Sequence, residues 1–141
     1  MIQALAEFRH RLRLFLQFSE AAAEKAGLQP QQHQLLLQIA GAFGVPVTVG
    51  YVAERLGLRH NTVVELCDRC EQAGLLKRRH DDADRRRVLL ALTRKGQVLL
   101  ESLSADHARE LNDLAPELIR NLSRLKPARP RLRTAALRRA Q

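Results

Sequence analysis

The sequence predicts a mainly α-helical fold with one small β-hairpin, and three observations predict it. Apolar residues recur at helical spacing through most of the chain, glycines and prolines divide those runs, and two short strand-like runs flank the polar turn DDADRR. A chain of 141 residues buries one core comfortably, so 1–125 reads as a single domain followed by a basic tail, 126–141, expected to fray.

Leu5, Phe8, Leu12, Phe15, Ala22 and Ala26 form one stripe of a first long helix ending near Gly27. Leu14, Leu16 and Phe18 widen the stripe beyond one contact, which suits a helix packed both on its own domain and on a partner subunit. Pro30 opens a second helix with Leu35, Leu36, Ile39, Ala40 and Phe43 on its buried side. Thr48 is the expected N-cap of a short third helix ending at Gly57. After the turn GLRH, Val63, Leu66, Cys67 and Cys70 repeat at helical spacing up to Gly74. Two helices around a brief glycine-containing turn are the outline of a helix-turn-helix.

Strands are expected at 75–80 and 87–92, the second followed by Thr93 as N-cap of a long helix carrying Leu99, Leu103, His107, Leu111 and Leu114. Pro116 is expected to begin a separate short helix with Leu118, Ile119, Leu122 and Leu125. The whole is a winged helix-turn-helix at about 30–92, with N- and C-terminal dimerisation helices at about 1–27 and 93–125.

Net charge alone does not name a partner. The formal charge is +9, but six of the 24 basic side chains lie in 126–141 without an acid, leaving 18 against 15 acids elsewhere. A polyanion partner must therefore be argued from a local surface. On the fourth helix, Arg59, His60, Asn61 and Thr62 stand at the start and Glu65 faces outward, where a recognition helix meets base edges and phosphates. The hairpin KRRHDDADRRR sets Lys77, Arg78 and Arg79 on one strand and Arg85, Arg86 and Arg87 around the other, a ribbon suited to the narrow minor groove of double-stranded DNA. The plainer reading is a solvated hairpin whose aspartates neutralise its arginines; the preceding helix-turn-helix outline favours DNA.

From about Leu5 to Leu125 the order of motifs resembles the MarR family of transcriptional regulators, through GLQPQQHQLLLQIA, VTVGYVAERLGLRHNTVVELCDRCEQAGLLKRR and above all DDADRRRVLLALTRKG. The resemblance implies a homodimer whose first and last helices interlock, binding a pseudo-palindromic operator, often as a repressor released by a small-molecule effector or by oxidation. It also implies that Asp68 pairs with Arg86 to hold the wing, leaving Arg85 as the free minor-groove probe unless the two exchange roles. On this reading the DNA contacts are Arg59, His60, Asn61, Thr62, Glu65, Lys77, Arg79, Arg85, Arg86 and Arg87. The dimer contacts are Leu5, Phe8, Leu12, Phe15, Leu114, Leu118, Leu122 and Leu125. Glu65 departs from the basic or neutral polar residue common in relatives, so no operator sequence carries over.

Cys67 and Cys70 form a C-x-x-C, read first as core, since free cysteine behaves as a small buried hydrophobe and two thiols fall short of a zinc site. A thiol- or metal-responsive switch at that pair is the alternative, and a protein-interaction module that has lost DNA reading is another. No metal, cofactor or catalytic constellation is expected. Of the histidines, His60 and His80 are expected near phosphates, while His10, His33 and His107 could line an interdomain pocket. The arginine-cut first helix and the polar glutamines of 26–53 exclude a signal peptide and a membrane span, and two lone cysteines fit a reducing, cytoplasmic compartment.

Overall fold

Seven elements follow one another: α1 (Ile2–Lys25), α2 (Pro30–Ala40), α3 (Val49–Leu56), α4 (His60–Gln72), β1 (Leu76–His80), β2 (Val88–Leu92) and α5 (Arg94–Ser123). They come from a computed structural model that describes residues 1–125; the expected basic tail lies outside the described residues. The mainly helical architecture with one hairpin is the predicted fold class.

One continuous core links Leu35, Leu36 and Ile39 of α2, Val52 of α3, Val63, Leu66, Cys67 and Cys70 of α4, Leu76 and Leu90 of the strands, and Leu100 and Leu103 of α5. Each fully buried leucine or valine there contributes about 1.5–3 kcal/mol. The inward face of α4 is the set expected from its spacing. Thr48 accepts from the Tyr51 amide at 3.1 Å and Thr93 from the Gly96 amide at 3.1 Å, so both threonine caps form as expected.

α1 packs along α5, with its small buried residues Ala4, Ser19 and Ala23 allowing close approach. α5 is one helix of 30 residues, and this corrects the expected break at Pro116. Pro116 removes one N–H bond, but Leu114 and Asn121 on either side of it are buried, and that packing carries the helix through.

The antiparallel strands pair Leu76 with Leu92, Arg78 with Leu90 and His80 with Val88, each strand one residue shorter than expected. Leu75 is taken instead into the junction with α5, where its carbonyl accepts from the Thr93 amide at 3.0 Å. Thr93 Oγ1 donates to the Gly74 carbonyl at 2.6 Å and Lys95 Nζ to that of Ala73 at 3.0 Å. Gly96 is buried against this turn, and a Cβ there would stand 2.1 Å from the Leu75 carbonyl oxygen. The first turn of α5 is thereby stitched to the root of the hairpin.

Candidate nucleic-acid interface

The burial of Val63, Leu66, Cys67 and Cys70 turns Asn61 and Glu65 of α4 to solvent, with Thr62 half-buried between the faces. Arg59 is the N-cap, its side chain makes no capping bond, and the exposed His60 opens the helix. Arg59, His60, Asn61 and Glu65 therefore share an open surface at one end of α4. Further along, Arg69 donates from Nη1 to Gln29 Oε1 at 2.7 Å, tying α4 to the start of α2.

Alternation along β1 sorts its cations. Leu76 points into the core, so Arg78 follows it inward, whereas Lys77 and Arg79 face solvent. Arg78 reaches α4: Nη2 donates to Asp68 Oδ1 at 2.6 Å and to the Val64 carbonyl at 3.3 Å, and Nη1 donates to Glu71 Oε2 at 2.8 Å. The Asp68 bond, above all, raises the Arg78 pKa above its ordinary value.

The hairpin turn is built by its acids. Asp81 Oδ1 accepts from the Ala83 amide at 3.0 Å, Asp84 Oδ1 from the Arg86 amide at 3.1 Å, and the Asp81 amide donates to the Arg87 carbonyl at 3.0 Å. Asp81 also pairs with Arg87 Nη2 at 2.8 Å, and Asp84 with Arg86 Nε at 3.2 Å. The expected Asp68–Arg86 ion pair does not form. Arg86 sits on the turn with its side chain 93% exposed, while Asp68 is occupied by Arg78, which parity and the shorter path from β1 deliver to α4. Arg85 is exposed and makes no ion pair among the described residues, whereas His80 is drawn into the turn, its Nδ1 3.0 Å from the Arg85 carbonyl oxygen.

A cleft of about 540 Å³ separates the start of α3 from the wing, lined by Thr48, Gly50, His60, Arg78, Arg86 and Arg87 among others. The structure thus brings His60, Arg86 and Arg87 together, and leaves Lys77 and Arg79 on the outer side of the hairpin. Arg78 and the start of α3 join the site although absent from the expected contacts. The period-two pattern from Leu76 was the available signal for Arg78.

Away from this surface, His33 and His107 meet where α1, α2 and α5 converge, their ring centroids 4.9 Å apart. His107 Nδ1 donates to the Leu103 carbonyl at 2.7 Å, and its Nε2 is hydrogen-bonded to Ser19 Oγ at 2.8 Å. Burial, then the nearby His107, lowers the His33 pKa below its ordinary value. His10 is exposed, so only two of the three expected histidines are seen together. Cys67 and Cys70 are free and buried, and burial foremost raises both thiols, Cys70 to about 11. Among the described residues no three metal-ligating side chains cluster, and no helix is long and apolar enough to cross a membrane.

A groove of about 740 Å³ runs between α1 and α5, with Phe18, Ala22 and Leu99 at its base and Lys25, Asp106 and Arg109 on its rim. Of the expected dimer contacts, Leu5 and Leu122 are exposed and Phe8, Leu12, Phe15, Leu118 and Leu125 half-buried. Leu114, the remaining member of the expected set, is already buried within the single chain, 8% exposed on α5. Ile2 and Ile119 are exposed at the same ends of these helices.

Comparison with known proteins places these features. The sequence profile of the MarR family matches residues 26–87. The HTH-type transcriptional regulator YcgE of Bacillus subtilis is 39% identical over 75 residues, covering 52% of this chain and 46% of that protein. MgrA of Staphylococcus aureus, also an HTH-type transcriptional regulator, is 34% identical over 82 residues, covering 57% and 56%. The chain spans about half the length of these curated relatives. In three dimensions it resembles a MepR variant of S. aureus bound to an oligodeoxyribonucleotide, with TM-score 0.66, 23% identity and coverage of 84% and 81%. Apo MarR from E. coli aligns with TM-score 0.62 and 20% identity over 80% of each chain. At these identities the structural likeness concerns the fold.

Proposed function

We propose that this chain, whose residues 26–87 match the sequence profile of the MarR family, is a MarR-family transcriptional repressor binding double-stranded DNA as a homodimer on a pseudo-palindromic operator. Residues 30–92 form the DNA-binding lobe, and 1–27 with 93–125 form the dimerisation part. Arg59, His60, Asn61, Thr62 and Glu65 read the major groove, Arg85 and Arg86 enter the minor groove, and Lys77, Arg79 and Arg87 hold phosphates. The observation that carries this reading is the exposure of Arg85 and Arg86 at the hairpin turn, beside a cleft shared with His60 at the start of α4.

Two features support the dimer. Leu5, Leu122, Ile2 and Ile119 leave apolar ends of α1 and α5 uncovered, and Arg11 Nε is buried without an acceptor among the described residues. A buried guanidinium N–H is rarely left unpaired, so a second copy supplies the acceptor. A small effector acts at the groove between α1 and α5, and the reducing cytoplasm keeps both thiols free.

Selection from a random duplex pool tests the proposal. Recovered sites carry two half-sites about 10 bp apart or a multiple of that, matching a two-fold dimer. Arg86→Ala lowers affinity for them by about tenfold or more; an undiminished affinity removes Arg86 from the interface. Binding to every duplex alike, without a preferred site, replaces operator recognition with non-specific attraction.

A further inference from the structure

We propose that the basic segment 126–141 of this chain docks in the groove between α1 and α5 and covers it. The docking stands on the chemistry of groove and segment and requires neither the DNA-binding nor the effector reading above. A ligand entering the groove must then displace the chain's own tail.

The groove has a floor and a wall of different chemistry. Phe18, Ala22, Ala26 and Leu99 line it half-buried, and the last three pack beneath onto the core. Apolar surface left open along a cavity of about 740 Å³ favours a cover. On the α5 side stand Asp106, Glu110 and Asp113. Asp106 pairs with Arg109, whereas Glu110 and Asp113 make no ion pair among the described residues. They belong to a strongly acidic stretch: 101–117 carries five acids against a single arginine, in a protein of formal charge +9.

Residues 126–141 hold the matching set, six Lys or Arg without an acid, with Leu132 and Leu137 among them. An arginine lays its stem along apolar surface while its guanidinium meets a carboxylate. Exposed ion pairs add little by themselves. The acids therefore orient the tail, and burial of Leu132 and Leu137 over the apolar floor holds it.

Reach separates this occupant from DNA, the other polyanion that would attract the tail. α5 is about 45 Å long, with its first turn at the root of the hairpin and Ser123 at the opposite end. At 1.5 Å per residue, Asp113 lies about 15 Å and Asp106 about 25 Å back from Ser123. A chain as long as 126–141 spans about 20–24 Å on average, which matches the groove and falls well short of the hairpin. Such a tether presents the tail at an effective concentration on the order of 1 mM, so a contact too weak to hold a free peptide is populated.

A nitroxide attached through Thr134→Cys in the full chain reads the position of the tail, since Cys67 and Cys70 are buried. With the tail docked, the amide signals of 21–26 and 102–113 lose most of their intensity, whereas those of α3 and α4 keep theirs. Glu110→Lys with Asp113→Lys restores the groove signals. Arg131→Glu with Arg133→Glu restores them too, and changes no residue of the folded core. Groove signals of full intensity in the labelled protein overturn the proposal. So does broadening confined to the last turn of α5, or broadening that both pairs of charge reversals leave intact. Broadening that appears only on α4 and the hairpin, and only once random duplex is added, gives the tail to DNA and overturns the proposal as well.

Discussion

His33 and His107 face each other across 4.9 Å, one ring from α2 and the other from α5, and His107 fastens the second of these to Ser19 of α1. Three helices therefore meet at two imidazoles, and burial disfavours the charged form of His33. His33 is 2% exposed, and its protonated form must lose its hydration beside a second basic ring.

This gives a pH dependence of stability with a definite sign. The unfolded chain takes up the His33 proton near pH 6.5, while the folded chain takes it up only at lower pH. The His33 contribution is thus whole above about pH 6.5 and declines as pH falls toward the folded value, by at most about 1.4 kcal/mol per pH unit. Denaturant midpoints measured from pH 5 to 7.5 decline less steeply toward acid in His33→Gln than in wild type. Parallel profiles would show that His33 does not carry the effect.

Cys67 and Cys70 are expected to be inert in the native protein. With the Cys70 pKa near 11, only about one thiol in a thousand is ionised at pH 8, and its sulfur is buried. Labelling by a disulfide reagent at pH 8 proceeds at the rate of unfolding, and mild peroxide leaves DNA affinity unchanged. Fast labelling of the folded protein would restore the thiol-switch alternative.

Gly96→Ala should destabilise the fold. Alanine favours a helix by about 1 kcal/mol over glycine, but its methyl would overlap the Leu75 carbonyl at the root of the hairpin. The overlap dominates, with a net loss of about 2 kcal/mol in chemical denaturation. An increase in stability would mean that the junction yields freely.

Pro116→Ala should act in the opposite direction, adding up to about 3 kcal/mol by restoring an N–H to the interior of α5. Thermal or denaturant melting at fixed protein concentration reads the gain. A loss would assign Pro116 a packing role that outweighs its missing hydrogen bond.

What was legible in the sequence was what local periodicity governs. Val63, Leu66, Cys67 and Cys70 announced the buried side of α4 by spacing alone, and Thr48 and Thr93 announced two helix starts by chemistry that acts within three residues. Pro116 misled because a proline opens or breaks a helix in isolation, whereas here packing against α1 holds the helix through it. Asp68 misled for another reason. A run of adjacent arginines looks interchangeable when read as charge, and only strand parity separates Arg78, turned inward behind Leu76, from Arg79 and Lys77. Asp81 and Asp84 looked like counter-charges and prove to shape the turn as well, through bonds to backbone amides.

The stitching of Thr93, Lys95 and Gly96 to the turn before β1 has a mechanical consequence. Because the start of α5 cannot move without the root of the hairpin, the helix acts as a stiff lever about 45 Å long with the ribbon mounted at one end. Swinging such a rod by about 5° sweeps its far end through about 4 Å, comparable with the ~3.4 Å between successive base pairs. A tilt of a few degrees at one end of α5 therefore displaces the hairpin at its other end by about the length of one base step.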